Sequence, residues 1–185
     1  LLSSFIRMPF NERNKSNEIT VDKKTTQEKI LLTCMFLSMG IIPVLYLATK
    51  GTAFDVLAFA NYNLPLGLTV TGALLVPAFA YLFWRSHYDL GRNWSATLEM
   101  REDHNLVTNG VYKRVRHPMY SAIWIAAIAQ PLLIHNLIGG ALVVLAFGAM
   151  CILRIPQEEE MMISNFGEEY RDYMARTGRI FPKLS

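Results

Sequence analysis

Between Pro118 and Leu153 the sequence has no lysine, arginine, aspartate or glutamate across 36 residues. Charge is scarce elsewhere too: 18% of the chain is charged against 52% hydrophobic, a balance that a soluble fold of 185 residues would struggle to cover with polar surface. Lipid is therefore read as part of the solvent. Other absences narrow the function. No Gly-rich phosphate loop follows a strand pattern, no serine sits in a nucleophile elbow, and no pair of histidines has zinc spacing, so neither a soluble nucleotide-binding sheet nor a metal site is expected. The two cysteines, Cys34 and Cys151, lie inside apolar runs without metal-ligand spacing and do not bear on redox compartment. A net charge of only +3 gives no case for nucleic acid. No Pro/Gly/Ser-rich linker, internal repeat or low-complexity tract divides the chain, so one domain is expected. A cleaved signal peptide is not expected: the first long apolar run starts near residue 30 and no small-residue cleavage pattern follows it.

What is present is a set of membrane-grade segments. Ile30 to Ala48 is 19 residues without a charge and Leu64 to Trp84 is 21, each near the roughly 20 residues that cross a bilayer as helix. The uncharged stretch from Pro118 is interrupted by His135-Asn136 and Gly139-Gly140 and reads as a tight helical hairpin. Its arms, Met119 to Ile134 and Leu137 to Leu153, have 16 and 17 residues. Lysine plus arginine number 6 before Ile30, 1 in residues 49–63, 6 in residues 85–118, none at the hairpin tip and 5 from Arg154 onward. Since cytoplasmic loops carry the basic excess, four crossings with both termini on the cytoplasmic side are predicted. A fifth crossing through Gly51 to Asn63 is the alternative, against which Asp55 and the two asparagines argue. The expected fold is thus all-α: a polytopic membrane helix bundle with a short C-terminal hairpin and an amphipathic C-terminal helix. Residues 1–29 are expected as a solvated cytoplasmic arm, 30–185 as a single membrane domain, and about 85–185 as its catalytic part.

Two polar stretches meet the hairpin at its open end. In Arg116-His117-Pro118-Met119-Tyr120, proline pre-sets a first helical turn, basic residues flank a cytoplasmic boundary and tyrosine suits the interface. Equally, His117 and Tyr120 lie one turn apart at a helix N-terminus that favours an anionic ligand group. In Arg154-Ile155-Pro156-Gln157-Glu158-Glu159-Glu160, the acidic run reads either as a solvated start to a surface helix after Pro156 or as functional, since Arg154 and Glu158 are four apart. A tight hairpin makes the His117 and Glu158 ends neighbours. Such a cluster at a lipid boundary costs desolvation unless its members pair with one another or with a ligand. Met161 to Arg176 alternates apolar and charged residues at helical spacing, either an interfacial anchor or a lid over a pocket.

The pattern HNLVTNGVYKRVRHPMY, some forty residues of hairpin, then RIPQEEEMMISNFGEEYRDYMARTGRIFP resembles the isoprenylcysteine carboxyl methyltransferase family of integral membrane enzymes over roughly residues 85–182. The resemblance implies S-adenosylmethionine as methyl donor, with S-adenosylhomocysteine as product. Carried over by position, cofactor contacts are His104, Asn105, Leu106, Val107, Tyr112, His117, Pro118, Met119, Tyr120 and Glu158. Arg154 matches the arginine assigned to the acceptor, and Arg154 and Glu158 are the expected catalytic pair. The implied partners are the bilayer and a lipophilic, prenylcysteine-like acceptor, with no nucleic acid and no metal. The chain departs from the family at Val111, Ala122 and Pro156, and a kink at Pro156 would change how Arg154 and Glu158 face each other. Three other readings stay open on the residues: a phospholipid or amine N-methyltransferase of similar build, an NADPH-dependent membrane reductase, and a non-catalytic membrane scaffold.

Overall fold

The computed structural model describes residues 2–14, 19–22, 25–93, 99–101 and 105–183, with side chains at 2–10, 25–91, 93 and 105–183. Among the described residues, six α-helices carry the fold: α1 Leu2–Asn14, α2 Thr26–Phe36, α3 Ile42–Thr49, α4 Leu66–Leu90, α5 Pro118–Leu133 and α6 Leu142–Arg176. A short antiparallel ribbon, β1 Ile19–Asp22 with β2 Glu99–Arg101, joins the N-terminal region to the α4–α5 connection and was not foreseen.

Helices α2 and α3 form one rod. Thr25 caps it by accepting from the Glu28 N–H at 3.1 Å. A π-helical turn at Leu37–Ile41 joins the two helices just before Pro43. Proline has no N–H to give the preceding turn and its ring crowds the carbonyl there, so the wider turn accommodates it. Among the described residues, three stretches are long and apolar enough to cross a membrane: Thr26–Thr49, Leu66–Leu90 and Leu137–Phe166; α5, at 16 residues, is shorter. Leu45, Leu74, Leu145 and Ile152 point outward from these helices, where hydrocarbon is the favourable surrounding. Inside, Met35 of α2 packs with Ala127 of α5 and with Val143, Phe147, Met150, Cys151 and Ile155 of α6. Phe79 and Phe83 of α4 pack on Ala122 of α5. Close approach of α4 and α5 depends on Gly72, where a Cβ would lie 2.7 Å from that of Leu132.

The hairpin forms as the uncharged stretch implied. Asn136 turns it, its side-chain oxygen accepting from Ile138 N–H at 3.0 Å and Gly139 N–H at 2.8 Å. Gly140 is required there, since a Cβ would sit 2.2 Å from the Ile134 carbonyl oxygen. The second arm is much longer than expected. It does not stop at Leu153, and no separate helix starts after Pro156: α6 runs on to Arg176 and breaks its helical dihedrals only at Gly167, with φ 55° and ψ −125°. Pro156 therefore lies within a continuous helix, and the bend expected from it falls eleven residues later at a glycine, which takes a positive φ without steric cost.

Gly51 to Asn63 forms turns and one 3-10 turn, Ala58–Ala60, instead of a crossing helix. It is tied to the hairpin tip. Tyr46 Oη donates to Asn61 Oδ1 at 2.6 Å, Asn136 Nδ2 donates to Leu57 O and Asn61 Oδ1 at 2.8 Å each, and Tyr62 Oη donates to Pro131 O at 2.6 Å. The region expected as a solvated arm differs in two particulars. Residues 2–14 form α1, which packs on α4, and Glu28 is buried inside the bundle.

Candidate functional site

The site begins where the two hairpin arms meet the charged segments. His117 precedes Pro118, the first residue of α5, and α6 passes opposite with Arg154 and Glu158 one turn apart. Their side chains meet: Arg154 Nε donates to Glu158 Oε1 at 2.8 Å, Tyr120 Oη donates to the same oxygen at 2.7 Å, and His117 Nδ1 lies 3.4 Å from Glu158 Oε2. Arg154 Nη1 also lies 3.4 Å from Glu28 Oε1, which arrives from the first turn of α2. Pro156 leaves this pair intact.

The neighbouring Glu159 points about 100° further round the helix and builds a second layer. Arg116 Nε donates to its Oε1 at 3.0 Å, His117 Nε2 lies 3.4 Å from that oxygen, and Arg179 Nη2 donates to Oε2. His117 thus sits between two carboxylates. Burial lowers its pKa, but the hydrogen bonds and charges of Glu158 and Glu159 outweigh burial and hold it above the ordinary value.

Local backbone places these groups. Val111 N–H donates to Asp89 Oδ2 at 2.9 Å, and Gly110 adopts φ 55° with the Asp89 carboxylate where a Cβ would be. Arg85 pairs with Asp89 at 3.0 Å, so the end of α4 pins the segment leading to His117. From the other side the C-terminal segment runs beside Arg114 to His117: Arg116 N–H donates to Gly178 O at 2.9 Å and His117 N–H to Arg179 O at 3.0 Å. Tyr173 Oη donates to the Tyr112 carbonyl at 2.6 Å, tying the outer part of α6 to the same segment. Burial pushes the Tyr112 phenol well above its usual range and that of Tyr173 up to about 12, so both are proton donors at neutral pH.

These elements enclose a cavity of about 210 Å³. Asn105, Leu106, Val107, Tyr112, His117, Pro118, Met119, Tyr120, Arg154 and Glu158 all line it, so the structure brings together every described residue singled out from sequence. His104, also expected there, lies outside the described residues. Sequence reasoning missed Arg7, Asn93, Phe147 and Met150 in the wall, which also includes Arg116 from the basic motif and Met161, Met162, Tyr170 and Tyr173. The last four fall in the closing stretch whose helical spacing had suggested a lid. Glu28 and Arg7 had no local signal. The wall combines a carboxylate for cationic or hydroxylic ligand groups, phenol and amide donors, and apolar patches at Leu106, Val107 and Met119. That donor set fits an adenosyl amino acid, with its hydroxyls, ammonium and apolar ring face.

A family model described as the isoprenylcysteine carboxyl methyltransferase (ICMT) family matches residues 69–164. Protein-S-isoprenylcysteine O-methyltransferase B of Arabidopsis thaliana is 33% identical over 152 residues, covering 70% of this chain and 77% of that one. The nickel-cobalt-cadmium resistance protein NccN of Alcaligenes xylosoxydans xylosoxydans is 33% identical over 97 residues, covering 52% and 45%. The solved structure of a eukaryotic intramembrane Ras methyltransferase ICMT superposes with a TM-score of 0.55 at 25% identity, covering 88% of this chain and 54% of that one. The chain spans about a third to a half of the length of several curated relatives it matches. The matched stretch runs from α4 through the hairpin to both layers of the Glu158–Glu159 cluster, and on this ground the chain belongs to the isoprenylcysteine carboxyl methyltransferase family.

Proposed function

We propose that this chain is an S-adenosylmethionine-dependent methyltransferase that esterifies the carboxylate of a lipophilic, prenylcysteine-like acceptor at the cytoplasmic face of a membrane. The observation that carries the reading is the convergence of His117, Tyr120 and Arg154 on Glu158 at the wall of the cavity. When bound, S-adenosylmethionine supplies a methyl group carried on a positively charged sulfur. Glu158 would hold the donor's ribose hydroxyls or ammonium, with Asn105 to Val107, Tyr112 and the first turn of α5 along its length. Arg154, paired with Glu158 and near Glu28, would bind the acceptor carboxylate through its guanidinium. Tyr112, Tyr170 and Tyr173 line the cavity and would limit water around the reactants, which favours a reaction that merges opposite charges.

A carboxylate acceptor is already a nucleophile and needs no base, whereas amine methylation needs a group to take a proton, for which His117 and the Glu158 and Glu159 carboxylates beside it are at hand. The basic excess on one side of the spans supports the cytoplasmic placement. The Alcaligenes relative is named for nickel-cobalt-cadmium resistance; among the described residues no group of three or more His, Cys, Asp or Glu is placed to hold an ion.

Calorimetry of the detergent-purified protein with S-adenosylhomocysteine tests the reading directly, with saturable binding expected. Binding of NADPH in its place would overturn it in favour of a reductase. Radiolabelled methyl transferred to a prenylcysteine acceptor should be released as methanol in alkali. Label that survives alkali would point to N-methylation.

A further inference from the structure

The connection between α3 and α4 carries an apolar surface on a backbone that makes little use of water. Phe54, Val56 and Phe59 are 75%, 77% and 80% exposed, and they are flanked by outward-facing Leu45 and Leu47 at the end of α3 and Leu66 and Leu68 at the start of α4. A patch of this kind facing water is a liability for a soluble surface. The hydrogen bonds point the same way. Gly51 N–H donates to Asp55 Oδ2 and Phe54 N–H to Thr52 Oγ1, each at 3.1 Å. The N–H groups of Thr52, Asp55, Val56, Ala58, Ala60 and Asn61 donate to carbonyls two or three residues back, and that of Tyr62 to the His135 carbonyl at the hairpin tip. Asp55 is the one charged residue between Gly51 and Arg85, and its carboxylate is turned onto the loop's own backbone. Polar groups satisfied internally are the condition for a non-helical segment to leave water.

The depth of the loop follows from the hairpin. α5 has 16 residues, about 24 Å of helix at about 1.5 Å per residue, against roughly 30 Å of hydrocarbon. Starting at the charged cluster, it ends short of the far headgroups. Asn61 bonds to Asn136 at the tip and Tyr62 to Pro131 near the end of α5, so the loop is held at that level. We infer that Gly51 to Asn63 is a lipid-binding loop, which seats Phe54, Val56 and Phe59 among the acyl chains of the leaflet opposite the charged cluster and covers the tip of a hairpin too short to cross. Helix faces that look onto hydrocarbon lie on both sides of the patch, which makes lipid its occupant.

The test uses the full chain carrying Phe59→Trp, with Phe54→Trp as a second variant should the first not fold, reconstituted into phosphatidylcholine vesicles. Subtracting the emission of the wild type, which has three tryptophans of its own, leaves the signal of the added indole. That difference emission should be blue-shifted and should fall twofold or more when the vesicles are made from phosphatidylcholine brominated along its acyl chains. A smaller fall in the folded variant overturns the assignment. Iodide on both sides of the vesicle then identifies what surrounds the loop in place of lipid: strong quenching means water, and protection from both quenchers means protein, such as a second copy of the chain. None of these readouts involves a methyl donor or acceptor, so the loop assignment stands or falls apart from the methyltransferase reading.

Discussion

The two ends of the α5–α6 hairpin solve the same problem with opposite chemistry. At the tip, Asn136, Asn61, Tyr46, Tyr62 and backbone carbonyls bond to one another, and every one of these groups is neutral. At the open end, His117, Arg116, Arg154, Glu158 and Glu159 pair as ions around a cavity. A neutral network can close on itself at small desolvation cost, so it serves structure alone. Buried ions add little to stability over apolar replacements of similar volume, which makes their retention beside a cavity a sign of ligand work.

Substitutions at the two ends should separate these roles. The largest effect is expected for Glu158→Ala, which leaves Arg154 and His117 without their shared partner: S-adenosylhomocysteine affinity should fall on the order of a hundredfold, or about 3 kcal/mol. Calorimetry reads this directly, and unchanged affinity would remove Glu158 from the site. Asn136→Ala should do the reverse. It strands the Ile138 and Gly139 N–H groups and the Leu57 carbonyl, for about 2–4 kcal/mol of stability. Thermal denaturation in detergent should show the loss while ligand affinity of the folded fraction holds. Equal losses in both would break the contrast between the ends.

The smallest effect is set by pH. The folded-state pKa of His117 is raised, so its cation contributes stability that is fully present below about 6.5 and is lost as pH rises through the folded value. Thermal stability of the wild type should therefore decline across that window, and a His117→Gln variant should show less of the decline. An equal slope in the variant would show that another group is responsible.

Much of the charged end was legible because absence of charge is a local signal. The uncharged stretch from Pro118 defined a hairpin, and a hairpin brings its ends together, so His117, Tyr120, Arg154 and Glu158 could be grouped without coordinates. The fate of α6 was less legible. Pro156 reads as a boundary, yet its fixed φ is compatible with a helix, and whether the helix continues is decided by what packs on either side of it. Met161, Tyr170 and Tyr173 are buried against the site and carry it onward. Glu28 was invisible for another reason: it reaches Arg154 across the bundle, and nothing within a few residues of it announces a partner more than a hundred positions away. The same holds for α1, whose packing on α4 depends on two side chains, Ile6 and Phe10, in a short segment containing Pro9.

Gly140, tight against the Ile134 carbonyl, makes the tip a pivot that cannot slide. Tyr120 and Glu158 are thirty-eight positions apart, yet their 2.7 Å contact is set at the far end of the tweezers, where the arms are joined. Inserting one residue into either arm would rotate everything beyond it by about 100° and advance it by about 1.5 Å, enough to turn Glu158 away from its partners. The exact length of two greasy helices thus helps build the cavity wall, although neither needs a charged side chain at the point where that length is fixed.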